Sequence, residues 1–199
     1  MRKIQTSSLL FLVIAFTSCG NQTFQSESET QSVETETLSV DDVFANSDSL
    51  VGDTIEIEGV CSYLCRHGGA KAFVVGSADS LIIRCEAFPL MGKPFDTTAT
   101  HHPIRVIGIL REQRIDETSI LAMEKQQAEL LENAQHQGTS HVEGTCETER
   151  AAQGQKDIEN FYDRMANYRS RIEARKNKGG KAYLSFYYID ALSYETLAE

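Results

Sequence analysis

Three cysteines and a histidine fall close together between residues 61 and 85: Cys61, Cys65, His67 and Cys85. Thiolates and an imidazole are soft ligands. Cys61, Cys65 and His67, joined by Cys85 from another strand, would make a Cys3His set for zinc or a thiolate set for copper(I). Arg66 and Lys71 beside them would favour the thiolate form. The same residues could instead oxidise. Leaving Cys19 aside, the cysteines are 61, 65, 85 and 146, and an even number in an oxidising compartment invites disulfides. A Cys61–Cys85 bond needs neighbouring strands. A Cys61–Cys65 bond needs a tight turn, because a continuous strand would hold the two about 13 Å apart. Buried thiols acting as small hydrophobes are the third reading. The spacing C-x3-C-x-H matches no standard ribbon or finger, so all three stay open.

Other groups are less concentrated. His101-His102-Pro103 could bring two more nitrogens to a metal, or could be a solvated loop before a strand. His136 and His141 flank Cys146 in a polar stretch. Tyr183, Phe186, Tyr187 and Tyr188 could stack on bases or pack in a core, and Arg105, Arg111 and Arg114 could form a local basic cluster. The chain contains no G-x-S-x-G, H-E-x-x-H, P-loop, dinucleotide fingerprint, C-x-x-C or C-x-x-C-H. The expectation is therefore that it is not an enzyme.

The elements that position these residues can be read from hydrophobic period. From Thr54 to Cys61 the residues Ile55, Ile57, Gly59 and Cys61 share one face and Glu56 and Glu58 the other, which is a half-buried strand with a cheap bend or bulge at Gly59. Gly68-Gly69 turns the chain into a second strand, Ala72 to Val75. A third follows, with Leu81, Ile83 and Cys85 on one face and Arg84 and Glu86 on the other. These phases put Cys61 and Cys85 on the same inner face. Phe88 to Pro103 reads as a loop and Ile104 to Arg111 as a fourth strand.

The period then changes. Ile120, Leu121, Ala128 and Leu131 predict a helix after an N-cap at Thr118 or Ser119. Ile158, Phe161, Tyr162, Met165, Tyr168 and Ile172 predict a second, stopped by Gly179-Gly180. That stripe would pack on the sheet or, as a minority reading, form a groove for a partner protein. Ala182 to Ile189 is a fifth, aromatic strand. Val40 to Leu50 reads as a short helix or turn, with Val43, Phe44 and Leu50 packing on the sheet.

The whole chain has 199 residues, 41% of them hydrophobic, and a net charge of −10. That is enough for one domain with a core. So acidic a surface repels phosphate backbones, which makes nucleic acid an unlikely partner. The N-terminus is organised differently. Arg2 and Lys3 precede the apolar run Leu9 to Phe16, too short to span a bilayer but right for a secretory leader. Thr17-Ser18-Cys19 follows, and the order of charge, apolar run, small residues and cysteine resembles a lipobox. The resemblance implies lipidation (palmitate among the acyl groups) at Cys19 and removal of residues 1–18. Gly20 to Ser39, rich in Ser, Thr, Glu and Gln, cannot bury enough surface to order itself, so residues 19–39 are expected to be a disordered acidic tether.

Residues 40–199 then form the folded domain, with a helical insertion at 118–178. The expected class is mainly β with a helical insertion (α+β): five strands, the first bent at a glycine, in an OB-like barrel, with a helical hairpin before the last strand. Lipobox, tether and barrel together resemble the small OB-fold lipoproteins of Gram-negative bacteria. The resemblance implies a lipid-anchored cell-envelope protein, outer-membrane and facing the periplasm, since Gly20 stands where an inner-membrane retention aspartate would be. Its barrel would act as a non-catalytic binding module for an envelope protein or small ligand. The alternative is a metal-binding or thiol-redox protein using Cys61, Cys65, His67 and Cys85. No cofactor is implied with certainty; zinc or copper would be the ones to test.

Overall fold

The computed structural model describes residues 36–198 apart from 67, 78–80, 89 and 137–145. Cys19, His67 and His141, with the leader and most of the tether, lie outside those residues.

Among the described residues six strands and four α-helices follow one another: β1 (Thr37–Ser39), α1 (Val40–Leu50), β2 (Thr54–Leu64), β3 (Lys71–Val75), β4 (Ile82–Glu86), β5 (Pro103–Ile115), α2 (Glu117–His136), α3 (Glu147–Ala152), α4 (Phe161–Lys176) and β6 (Leu184–Thr196). The sheet order is β1-β2-β3-β4-β6-β5, and β5 pairs again with β2. Strands β2 to β6 therefore close into a five-stranded barrel. All its pairings are antiparallel except β4 with β6. Numbered within the barrel, the strands run 1-2-3-5-4-1, which is the OB arrangement. The α+β OB-like fold follows from that order and closure.

Alternation dictates which side chains fill it. On β2, Ile55, Ile57 and Cys61 point inward, then a bulge between Cys61 and Tyr63 resets the phase so that Leu64 is also buried. The irregularity was expected at Gly59 and falls beyond it. Gly59 has another duty: there the partner on one edge of β2 changes from β1 to β3 while β5 holds the other edge, and a Cβ would meet Val74 Cγ1 at 2.6 Å and the Val75 carbonyl at 2.9 Å. Ala72, Val74, Ile83, Cys85, Val106, Leu110 and Ile189 complete the interior. Each fully buried branched aliphatic side chain contributes about 1.5–3 kcal/mol.

The N-terminal border differs from the expected one. Thr37–Ser39 is a strand, parallel to Glu56–Glu58 of β2 and occupying the edge that β3 leaves open. The ordered fold thus begins ahead of residue 40. Ser39 and Asp42 then form a capping box for α1, which seats Val40 and Val43 in the barrel core.

Among its described residues the helical insertion holds three helices, a short one standing between the two expected. The first begins at Glu117, and Asp116, rather than Thr118 or Ser119, accepts from the Ser119 amide at 2.8 Å. Strands β5 and β6 also run past the expected ends and pair along their length, so that Ile115 and Leu184 lie beyond the barrel. Ile120, Met165, Tyr168 and Ile172 pack on that extension as a second, smaller core.

Candidate functional site

The cysteines separate into two environments. Cys61 and Cys85 are fully buried on the inner face, as their strand phases require. Burial pushes the Cys61 thiol up to about 11, and pushes Cys85 higher still, with the nearby Cys61 charge adding to it. Thiols so reluctant to ionise are poor nucleophiles and fill space as small hydrophobes. Cys65 stands half-buried on the turn after β2. Its amide donates to the Lys71 carbonyl at 2.8 Å and its carbonyl accepts from Gly69 at 3.0 Å. Both Gly68 and Gly69 have positive φ, and a Cβ on Gly69 would come within 2.5 Å of the Phe95 carbonyl. Gly69 thus seats the turn against residues 94–95, while Gly68 supplies a positive φ only. Cys146 caps α3, its sulfur accepting from the Glu149 amide at 3.4 Å.

Cys61, Cys85 and Cys146 are free thiols. Among the described residues no three His, Cys, Asp or Glu side chains gather as a metal site. His101 is an exposed loop residue, and His102 Nδ1 lies 3.0 Å from the Thr100 carbonyl. The expected basic cluster is neutralised by its own sheet: Arg105 pairs with Glu56, Glu58 and Glu195, Arg111 with Asp190, and Arg114 with Glu112.

The outer face of β3, β4 and β6 is built differently. Phe73, Arg84 and Tyr188 form one row across three adjacent strands, and Lys71 pairs in register with Glu86. The Arg84 guanidinium lies over the Tyr188 ring, 4.9 Å from its centre. In OB barrels the corresponding strand face holds ligands. Here a roof covers it. Helix α3 brings Glu149, only 17% exposed, against this row, where its oxygens accept from Arg84 Nη1 at 2.8 Å and Lys71 Nζ at 3.2 Å. Arg84 Nε pairs with Glu86 at 2.9 Å.

Helix α4 supplies the other side. Asn160 caps it by accepting from Tyr162 and Asp163, which fixes the phase that buries Arg164, Met165, Tyr168 and Ile172. The Tyr168 hydroxyl donates to Gln153 Oε1 at 2.7 Å, and burial pushes this phenol up to about 12. Arg171 Nη1 donates to the Gln153 carbonyl at 2.7 Å, and its guanidinium lies 5.6 Å from the centre of the Phe186 ring. Between roof and sheet remains a cavity of about 320 Å³ lined by Phe44, Arg84, Glu149, Gln153, Arg171 and Tyr188, among others.

A broader groove of about 750 Å³ lies elsewhere, between the Cys65–Gly69 turn and residues 93–97, with Tyr63 and Tyr194 in its wall. The aromatic strand thus serves neither expectation cleanly. Tyr188 and Phe186 carry guanidiniums, Tyr183 sits among Arg114, Arg175 and Lys181, and the Tyr187 hydroxyl bonds Asp48 at 3.0 Å. Arg171 was not singled out from sequence, because its position on the helix stripe gives no sign of which strand it will meet.

No family model and no curated protein match the chain. Similar solved structures include the telomere capping protein Ten1 from Saccharomyces pombe, 12% identical over 39% of this chain and 68% of that one, with a TM-score of 0.29. A second is the S. pombe Stn1–Ten1 complex, 15% identical over 40% of this chain and 67% of that one, with a TM-score of 0.30. The OB-like assignment rests on this chain's own strand order.

Proposed function

We propose that this is a lipid-anchored cell-envelope protein whose OB-like barrel binds a ligand, without transforming it, beneath the α3–α4 roof. The observation that carries the binding reading is the face itself: Arg84 and Tyr188 of the barrel and Arg171 of the insertion converge on one cavity. Its composition suits holding more than reacting. Guanidiniums do not give up protons, and Glu149 is already committed to Lys71 and Arg84. The anchor rests on the N-terminal pattern, which ends at Cys19.

Expressing the full chain with its own leader in a Gram-negative host tests the address. The expected product is a mature chain starting at an acylated Cys19 and found in outer-membrane fractions, whereas Cys19→Ala is expected to leave the protein unacylated and out of the membrane. Mass spectrometry of the N-terminus and fractionation read both. A mature chain that retains residues 1–18, or lacks fatty acid, contradicts the anchor.

A further inference from the structure

Resting on the reading that the roofed face is the binding site, we infer that its ligand is a small organic anion, a carboxylate or phosphate carried on an apolar body, with Arg171 receiving the charge. The argument is one of charge balance. The chain as a whole is acidic at −10, yet its cations around the roof exceed their partners. Lys71 and Arg84 share Glu149, and Arg84 also takes Glu86. Arg169, on the opposite side of α4, is held by Glu117 and Glu124. Arg171 is different: half-buried, it has a single backbone carbonyl as hydrogen-bond partner and no carboxylate within 4 Å among the described residues.

Arg164 repeats the pattern two helical turns away, behind the residues that line the cavity. It is 6% exposed over the Phe161 ring, its Nε has no hydrogen-bond partner, and it too lacks a carboxylate within 4 Å among the described residues. Burial disfavours the charge on both guanidiniums. A buried charge without a counter-ion is costly, and guanidiniums cannot relieve that cost by losing a proton at neutral pH. An anion entering the cavity supplies Arg171, which lines it, with the counter-charge the fold leaves out. Guanidinium also matches carboxylate and phosphate geometry through paired donors.

The remaining walls define the rest of the molecule. Phe44, Ile82 and Tyr188 offer apolar surface, and a volume of about 320 Å³ is at the lower end for ligand pockets, which run from roughly 300 to 1,000 Å³. A monomeric compound fits such a space.

Calorimetric titration of the full chain with phenyl phosphate, benzoate, inorganic phosphate and benzyl alcohol tests this. One of the two aromatic anions is expected to bind one-to-one, and the better of them identifies the headgroup. Benzyl alcohol is expected to bind at least about tenfold more weakly, and added salt to weaken the anion. Arg171→Met is expected to erase the preference for the anion, and Arg171→Lys to keep part of it, in proteins whose circular dichroism is unchanged. The salt dependence of the wild type decides the matter if neither variant folds. Inorganic phosphate binding as tightly as phenyl phosphate removes the apolar body. Benzyl alcohol binding as well as the anions, competing with them and lost in Tyr188→Ala, overturns the charge inference while leaving the binding face. No saturable binding of any of the four overturns the anion inference, and a single-stranded oligonucleotide that binds undiminished in Tyr188→Ala overturns the binding face as well.

Discussion

Cys61 and Cys85 show how far one residue's environment can be read from strand phase. Their inward direction follows from the alternation of Ile55, Ile57 and Cys61 and of Leu81, Ile83 and Cys85, and the structure bears it out. What phase cannot supply is the position of Cys65, which depends on a bulge after Cys61 and a turn pinned to Phe95. Burial also sets a pH dependence. A thiol raised from 9.0 to about 11 in the folded state holds its proton there while the unfolded chain has released it. Stability is therefore fully present below about pH 9 and falls as pH rises from there towards 11. In urea titrations the wild type is expected to lose stability over that window, and Cys61→Ala to lose less while starting lower by about 1 kcal/mol for the missing sulfur. A profile identical in both proteins would mean that Cys61 meets water.

At the scale of elements, the insertion between β5 and β6 is a roof fastened by one carboxylate. Glu149 reaches from a six-residue helix, too short to persist on its own. Glu149→Gln removes the charge that Lys71 and Arg84 share and is expected to cost about 1–3 kcal/mol. Hydrogen exchange is the measurement that separates roof from barrel: faster exchange is expected at Arg150 to Gln153, with Val74, Ile83 and Ile189 still protected. Equal loss of protection throughout would mean that roof and barrel open together. The helices α2 and α4 were legible from their apolar spacing, and Gly179, with φ of +75°, does end the second of them. Helix α3 was not, because Glu147 to Ala152 carries no periodic apolar face and is held by an ion pair to a distant strand. The lengths of β5 and β6 were underestimated for a related reason. Residues Arg111 to Ile115 and Asp190 to Thr196 are mostly polar; the first segment extends by pairing with Leu184 to Tyr188 beyond the barrel, the second by pairing with Ile104 to Ile109 around its circumference.

The whole molecule combines an acidic average with a locally cationic face. Average charge argued from composition that phosphate-bearing partners are repelled, but the sum says nothing about Lys71, Arg84, Arg164 and Arg171, which only the closed barrel and its insertion bring to one side. Five strands were within reach of the sequence because β4, β5 and the first half of β2 alternate over their buried parts and β3 and β6 are short apolar or aromatic runs. The parallel contact between β4 and β6, which turns Arg84 towards Tyr188, is a property of closure and has no local signature. The most direct test of the account is a backbone-amide NMR titration of the full chain with phenyl phosphate or benzoate. The expected result is saturable shifts at Arg84, Gln153, Arg171 and Tyr188, with little change at Cys65, Gly69 and Phe95. Shifts confined to the groove beside Cys65, or none at the roofed face at saturation, would contradict it.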